Sequence, residues 1–491
     1  MLLAIPFALL LLHTRSNALS IAGAVVLTLV TCSETVNSAI DFSNALFILA
    51  TILLPSLATY AVMAAAPKSP ASPAAVTFAS MLLLAVYTLN AQILNPAPPD
   101  QDYAAVLMMA AVRLSSFAWA IHDEHLQASV HKVPSLMNFL GYMLFVPAFF
   151  CGPAFDFNTY MDWKHLRGVY KSIPSVFVPA LKVFGLGVVL CGVFMQFGDY
   201  WDYSHFVDAN YVMQSTLANR IMTMQVSGVF MRFKYYGVWK ISESVCILSG
   251  LGYSGTHPPT TTTTTTTSTA TTTQTTNTTK QQQQQQQQQH TWTACQNVDI
   301  SALETSSSPV GILSNWNMFV NAHLHKNVYT RLRSAGVATP IANAVTKAFS
   351  ALWHGFYPGY YLTFGSAAFM SVCAGILRRE LRPLFVVAVP AAATKKNDTK
   401  QDATNESALS GAVLAAYKPG YDVAGWALSQ LIMNYICAPF PLFWLKEGLA
   451  VWASVYYFGH VGMAFVFLYK WAGLFAWFKR VAQGGSKVKQ A

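Results

Sequence analysis

The sequence predicts an all-α polytopic membrane protein of about ten or eleven transmembrane or re-entrant helices surrounding an internal tunnel. Three observations carry that expectation. Of 491 residues, 54% are hydrophobic and only 10% charged, against roughly one-quarter charged in an average soluble domain. Apolar runs close to the ~20 residues that cross a bilayer as a helix recur from one end of the chain to the other. One of those runs carries Lys347, Ser350 and His354 at i, i+3, i+7 spacing. That spacing draws a polar stripe down one helical face, as a hydrated or substrate-filled passage requires.

The N-terminal "MLLAIPFALLLLH" has no basic n-region and no clear small-residue cleavage site, so it reads as a first anchor or interfacial helix rather than a signal peptide. Spans then fall near 18–31, 44–66, 75–94, 104–121, 137–151, 173–197, 224–250, 341–378, 381–394, 408–416 with 422–444, and 449–478. Those that are short, or interrupted by Pro and polar residues, are expected as broken or re-entrant helices buried in protein. Residues 257–291, a Thr/Gln-rich tract with no large apolar residue to bury, read as a solvated, disordered insert. A polar stretch at 394–411 reads as an exposed loop.

The chain therefore divides into an N-terminal part of the core at 1–256, the insert at 257–291, a second part of the core at 292–480 and a basic tail at 481–491. The tail follows the last apolar run, so it is expected in the cytosol. Lys487 and Lys489 there resemble a dilysine retrieval signal, which implies residence in the endoplasmic reticulum membrane. Asn277, Asn397 and Asn405 open glycosylation sequons.

The net charge of +10 sits mostly in loops and the tail, which fits anionic lipid headgroups and excludes nucleic acid as a partner. The seven cysteines are scattered without a CxxC pair, so neither a disulfide framework nor a zinc site is expected. "HDEH" at 122–125 has two histidines at i, i+3 but no third ligand at a usual spacing, and reads as a solvated turn after a span. No metal site is expected.

The candidate chemistry gathers in the second half. In "ALWHGFYPGYY" (351–361), His354 stands in an apolar stretch, where an unpaired polar group costs several kcal/mol and an ionisable residue usually faces a cavity. A histidine that merely hydrogen-bonds across helices is the competing reading. Upstream, "NWNMFVNAHLHKNVYTRLR" (315–333) offers Asn317, Asn321, His323 and His325 as donors, and Arg331 and Arg333 as phosphate partners. Arg232 with Lys234 forms a further basic pair of the same kind. Glu243 pairs with Lys240 at i, i+3 and reads as a neutralised structural pair.

These residues resemble a known family. "WHGFYPGYY" and "NWNMFVN" are similar to the histidine and asparagine blocks of the membrane-bound O-acyltransferases (MBOAT). "FFCGPAFDFNTYMDW" (149–163), "RFKYYGVWKISESVCILSGLGYSG" (232–255) and "CQNVDISALE" (295–304) resemble, in the same order, further blocks of that family's lysophospholipid acyltransferase branch. The resemblance covers residues of about 18–480 apart from the insert. It departs at Phe319-Val320-Asn321 and then His323, where the branch carries Asn-Thr-Asn and then a tryptophan, a departure that bears on acyl or headgroup preference.

What the resemblance implies is acyl transfer from acyl-CoA to the free hydroxyl of a lysophospholipid, with acyl-CoA as co-substrate and no separate cofactor. His354 would be the general base, and Asn317 would either stabilise the oxyanion or orient the histidine or the substrate hydroxyl. Asn321, Trp353, Tyr360, Arg232, Lys234, Arg331 and Arg333 would bind substrate. Membrane lipids are the expected surroundings, and a homo-oligomer is compatible with the sequence. An acyltransferase of the same family acting on a sterol, diacylglycerol or protein, and a polytopic transporter, are the competing functions.

Overall fold

The computed structural model describes residues 2–36, 39–94, 103–127, 133–150, 152–257, 289–386 and 414–488. Among them the chain is helical almost throughout. The elements in order are α1 (Ile5–Thr14), α2 (Asn17–Thr31), strands β1 (Glu34–Val36) and β2 (Ala39–Asp41), α3 (Ser43–Ala65), α4 (Ala71–Leu94), α5 (Ala104–Gln127), α6 (Leu136–Met143), α7 (Phe157–Lys164), α8 (Phe177–Phe197), α9 (Ala209–Gln214) and α10 (Leu217–Leu248). There follow β3 (Gly255–His257), β4 (Gln289–Thr291), α11 (Ile300–Glu304), α12 (Pro309–Ser314), α13 (Met318–Leu324), a π-helical turn (His325–Thr330), α14 (Arg331–Ser334), α15 (Thr339–His354), α16 (Pro358–Phe385), α17 (Lys418–Cys437), α18 (Leu445–Ala453), α19 (Phe458–Trp471) and α20 (Leu474–Val488).

Five described helices are individually long and apolar enough to cross a bilayer, namely α3, α4, most of α5, α8 and α16. The pair α18 and α19, bent by 73° at its break, makes a sixth. Together they make this an integral membrane protein. The expectation of ten or eleven counted broken segments as well. Leu2–Thr14, Asn17–Thr31 and Leu136–Ala148 are such pieces, shorter than a full crossing, whereas the expected spans at 224–250 and 422–444 fall on α10 and α17, long helices that are not among those apolar enough to cross. The expected spans at 381–394 and 408–416 lie mostly outside the described residues, as do the loop at 394–411, the three sequons and Lys489.

Two expectations about local structure are corrected. The run 341–378 is not one helix: it breaks between His354 and Pro358, so the stripe-bearing helix stops at His354 and Phe356 lies in the link. "HDEH" is not a turn. No Pro or Gly interrupts 104–127, and α5 runs through it. His122 and His125 are buried, their Nδ1 atoms 3.0 Å from the Pro67 carbonyl and 2.7 Å from the Ile121 carbonyl, which gives each a helix-packing role.

By packing, the chain forms two compact units that interleave along the sequence. Unit one comprises Met1–Ser80, Asp102–Val189 and Gly237–Asn297. Its core is aromatic: Phe139, Tyr142, Phe145, Phe155, Phe157, Tyr160 and Trp163 are all buried, mostly in edge-to-face contact at ring-centroid distances such as 5.3 Å for Phe145 with Trp163. Tyr160 Oη donates to Asn17 Oδ1 (2.8 Å) and Asn17 Nδ2 donates to Asn138 Oδ1 (2.9 Å), so the hydroxyl that comes with the buried ring is satisfied. The fully buried Arg113 donates to the carbonyls of Met143 and Ala148 and lies 5.1 Å over the Phe155 ring. Lys240 and Glu243 form the expected buried pair at 2.8 Å.

β3 and β4 pair antiparallel, Gly255 opposite Thr291 and His257 opposite Gln289. The ends of the Thr/Gln tract are therefore neighbours; residues 258–288 between them lie outside the described set. Unit two comprises Met81–Gln101, Leu190–Tyr236 and Val298–Ala491, and contains every candidate site residue.

Candidate active site

His354 is the last residue of α15, and the chain there is shaped by two glycines. Gly355 closes the helix at φ 115°, a region that L side chains rarely adopt, with its N–H donating to the Leu352 carbonyl. A Cβ at Gly355 would touch Thr88 at 3.4 Å. Pro358 then opens α16 at its first turn, where the missing N–H costs nothing. Gly359 donates its N–H to the Phe443 carbonyl (2.7 Å), and a Cβ there would lie 2.3 Å from the Pro439 carbonyl oxygen. This close approach brings the segment 439–443 onto the start of α16.

Phe440 thereby reaches the imidazole. Its ring stands edge-on to His354 at 5.1 Å, Phe364 stacks at 5.1 Å and Tyr360 lies at 5.6 Å, with Trp353 at 4.8 Å on the preceding residue. His354 is half-buried, and among the described residues no hydrogen bond to either ring nitrogen is found. Two other histidines of unit two differ. His460 has Ser366 Oγ at 3.0 Å from Nε2 and Tyr435 Oη at 2.5 Å from Nδ1. His323 accepts at Nδ1 from Asn327 Nδ2 (3.0 Å), and burial, followed by the charges of Lys326 and Arg331, pushes its pKa down to about 4. His323 thus stays neutral at physiological pH as a packing group. Polar groups engaged this way serve structure, whereas the ring nitrogens of His354 have no such partner among the described residues.

Asn317 opens α13 in the left-handed region at φ 44° and ψ 55°, which asparagine tolerates better than other side chains. Its carbonyl accepts from Asn321 N–H (3.0 Å), starting the helix, while its side chain makes no cap. It is half-buried, and no hydrogen bond joins it to His354. α13 continues into the π-helical turn, against which α15 packs. π-Turns of this kind are frequent at functional sites. Asn321 is exposed, one turn along from Asn317.

The basic residues divide. Arg232 is held internally: Nε and Nη2 bind both oxygens of Glu304 (2.8 and 3.0 Å), Nη1 donates to Asn434 Oδ1, and Tyr236 Oη donates to Glu304 Oε1 (2.8 Å). Gly228 makes room for Asn434, since a Cβ there would lie 2.3 Å from Oδ1. Arg232 therefore ties α10, α11 and α17 together, a role sequence reasoning missed because Glu304 was not singled out. Arg333 is exposed and donates to the Val337 carbonyl, closing the turn after α14. Arg331 is half-buried, and Lys234 is exposed with Nζ 5.9 Å above the Phe194 ring. Phe364 and Phe440 were likewise not singled out: an aromatic inside a greasy helix looks like any other packing residue.

The clamp yields a stability prediction. Glu304→Ala removes the partner of a cation that is 13% exposed, while Glu304 itself is 33% exposed. Breaking a fully buried pair costs about 3–5 kcal/mol, and partial solvent access here discounts that to about 2–3 kcal/mol. Thermal unfolding of the detergent-solubilised protein should show a lowered Tm, and Arg232→Met with Glu304→Leu should recover most of it.

The fold defines the class: a polytopic helical membrane protein, here with an imidazole set in an aromatic frame. The chain belongs to the membrane-bound O-acyltransferase family, MBOAT, whose sequence profile matches residues 38–392. It is 29% identical over 420 residues to the lysophospholipid acyltransferase of Saccharomyces cerevisiae, covering 78% of this chain and 60% of that protein. It is 27% identical over 400 residues to the Schizosaccharomyces pombe protein of the same name (76% and 68%) and 28% over 352 residues to lysophospholipid acyltransferase 5 of Mus musculus (70% and 60%). The match spans about three-fifths of the length of the first and third of these relatives.

Proposed function

We propose that the chain transfers a fatty acyl group from a long-chain acyl-CoA to the free hydroxyl of a lysophospholipid. The observation that supports this best is His354: a half-buried imidazole, unpartnered among the described residues and framed by Tyr360, Phe364 and Phe440, in a chain whose relatives are named lysophospholipid acyltransferases.

An alcohol is a poor nucleophile at neutral pH, so its proton must leave as the C–O bond forms. In the proposed mechanism a ring nitrogen of His354 accepts that proton while the hydroxyl oxygen attacks the thioester carbonyl. The tetrahedral intermediate places negative charge on the former carbonyl oxygen, and the Asn317 amide donates to it. Collapse breaks the C–S bond, the imidazolium returns the proton to the thiolate of CoA, and the ester departs. No acyl-enzyme is formed. Trp353 and Tyr360 shape the imidazole's surroundings, Asn321 lies near the lipid acceptor, and Lys234, Arg331 and Arg333 are the cations offered to the CoA phosphates. Arg232 contributes by holding α10 in place.

Residence in the endoplasmic reticulum membrane and a homo-oligomeric state are both compatible with the reading. The decisive measurement is lipid mass spectrometry of purified protein given one labelled acyl-CoA and a panel of acceptors. Labelled diacyl phospholipid is the expected product. Label found only in a sterol ester, triacylglycerol or protein would move the acceptor within the family, and solute flux without any acylated product would replace the enzyme with a transporter.

A further inference from the structure

Unit one contains a cavity of about 410 Å³ that the acyl-transfer reading leaves unused. Two corners of the chain build it. The first is the tight link between α1 and α2, where Arg15 closes α1 in the left-handed region (φ 47°) and Ser16 accepts from Leu19 N–H to start α2. The second is the stretch 166–177 joining α7 to α8. It is anchored by Trp163 Nε1 donating to the Ser249 carbonyl and Tyr170 Oη donating to the Leu251 carbonyl, each at 3.0 Å. Gly250, at φ 81°, lies between those two acceptors, and a Cβ there would come within 3.0 Å of Leu12 and 3.1 Å of Ile173. The same backbone turn therefore packs against both corners and fixes the cavity between them.

The lining is one-sided in charge. His13, Arg15 and Lys171 contribute to it and no acidic residue does. Among the described residues neither Arg15 nor Lys171 forms an ion pair. Arg15 Nε is buried without a hydrogen-bond partner among them, and its guanidinium lies 5.9 Å over the Trp163 ring. A buried donor left unmade is unfavourable, more so when charged, so an orphan here marks a place for an acceptor. Part of the lining is apolar. Leu12 and Ile173 pack onto the small core of Val176, Ala180 and Ile247, while Phe177 remains 59% exposed at the rim.

Cations together with apolar side chains in one lining suit a phosphorylated amphiphile. A phosphate brings negative charge and several acceptor oxygens for a guanidinium and an ammonium. In a chain of net charge +10 with five candidate spans, anionic lipid is the phosphate source at hand. We propose that this cavity binds the phosphate headgroup of an anionic glycerophospholipid, with Arg15 and Lys171 on the phosphate and Leu12, Ile173 and Phe177 against the glycerol and first acyl carbons.

The test uses the full chain in neutral detergent, followed by native mass spectrometry while dioleoyl phosphatidic acid, dioleoyl phosphatidylcholine or inorganic phosphate is titrated in. Phosphatidic acid should bind saturably, and the zwitterionic lipid should not displace it. Arg15→Gln with Lys171→Gln should weaken binding by at least about tenfold. Ser175→Glu, which places a carboxylate at the exposed rim without removing any cation, should do the same and carries the test if the double variant fails to accumulate. His354→Ala should leave this binding unchanged. Equal affinity for wild type and the Ser175 variant would overturn the site. Displacement of the lipid by an equal concentration of inorganic phosphate would overturn the lipid assignment in favour of free phosphate.

Discussion

His354→Ala is expected to lower acyl transfer by roughly 10²–10⁴-fold, the range that a positioned general base contributes. The loss should appear in kcat, because the imidazole acts on the hydroxyl proton as the C–O bond forms and contributes little to ground-state binding. Turnover of labelled acyl-CoA into phospholipid measures it, with membrane insertion and Tm as controls. The local structure favours a clean result. Gly355 and Pro358 already set the end of α15 and the start of α16, and no described residue depends on the imidazole for a hydrogen bond. The ring does contribute to the aromatic frame of Phe364 and Phe440, so His354→Phe is the companion variant. It keeps a ring and removes the base, and it should be as inactive as the alanine variant. Near-native turnover in either one would remove His354 from the reaction.

Asn317→Gly is expected to cost about 10²–10³-fold in kcat, the size reported by removal of one oxyanion donor. Glycine is the informative replacement because Asn317 sits at φ 44°. It keeps the left-handed backbone at no steric cost, whereas Asn317→Ala adds roughly 1–2 kcal/mol of local strain. If the amide itself acts on the reaction, the two variants should share the same loss in kcat and differ in Tm. Should the glycine variant retain full activity while the alanine variant does not, Asn317 would be a backbone device that starts α13, and no donor to the intermediate.

Much of the architecture was legible in the sequence because hydrophobicity is written residue by residue. The runs at 44–66, 75–94 and 173–197 fall on α3, α4 and α8 within a few residues. What periodicity alone could not place were the breaks. Whether 351–361 continues or interrupts a helix depends on Gly355 adopting a positive φ and on Gly359 meeting a strand of backbone some eighty residues further on. "HDEH" looked like a loop because its residues are polar, yet two backbone carbonyls satisfy both imidazoles inside the helix bundle.

The candidate site was legible in part for a similar reason. A lone histidine among apolar neighbours is conspicuous, and so is an asparagine beside tryptophan. Arg232 was conspicuous too, but its partner Glu304 lies beyond the Thr/Gln tract, and a pairing across that separation leaves no local spacing to read. The sequence offers Arg232 as a phosphate partner, whereas its Nε, Nη1 and Nη2 all bond within the protein. The block at 149–163, found by its resemblance, turns out to furnish the aromatic core of unit one, so its residue types are constrained by packing.

The short β3–β4 ribbon determines what happens when the threonine and glutamine repeats change in number. Because Gly255 and Thr291 are cross-strand neighbours, both ends of the tract are fixed at one spot whatever its length. A change in the number of repeats is therefore compatible with the same cross-strand register at either end of the tract.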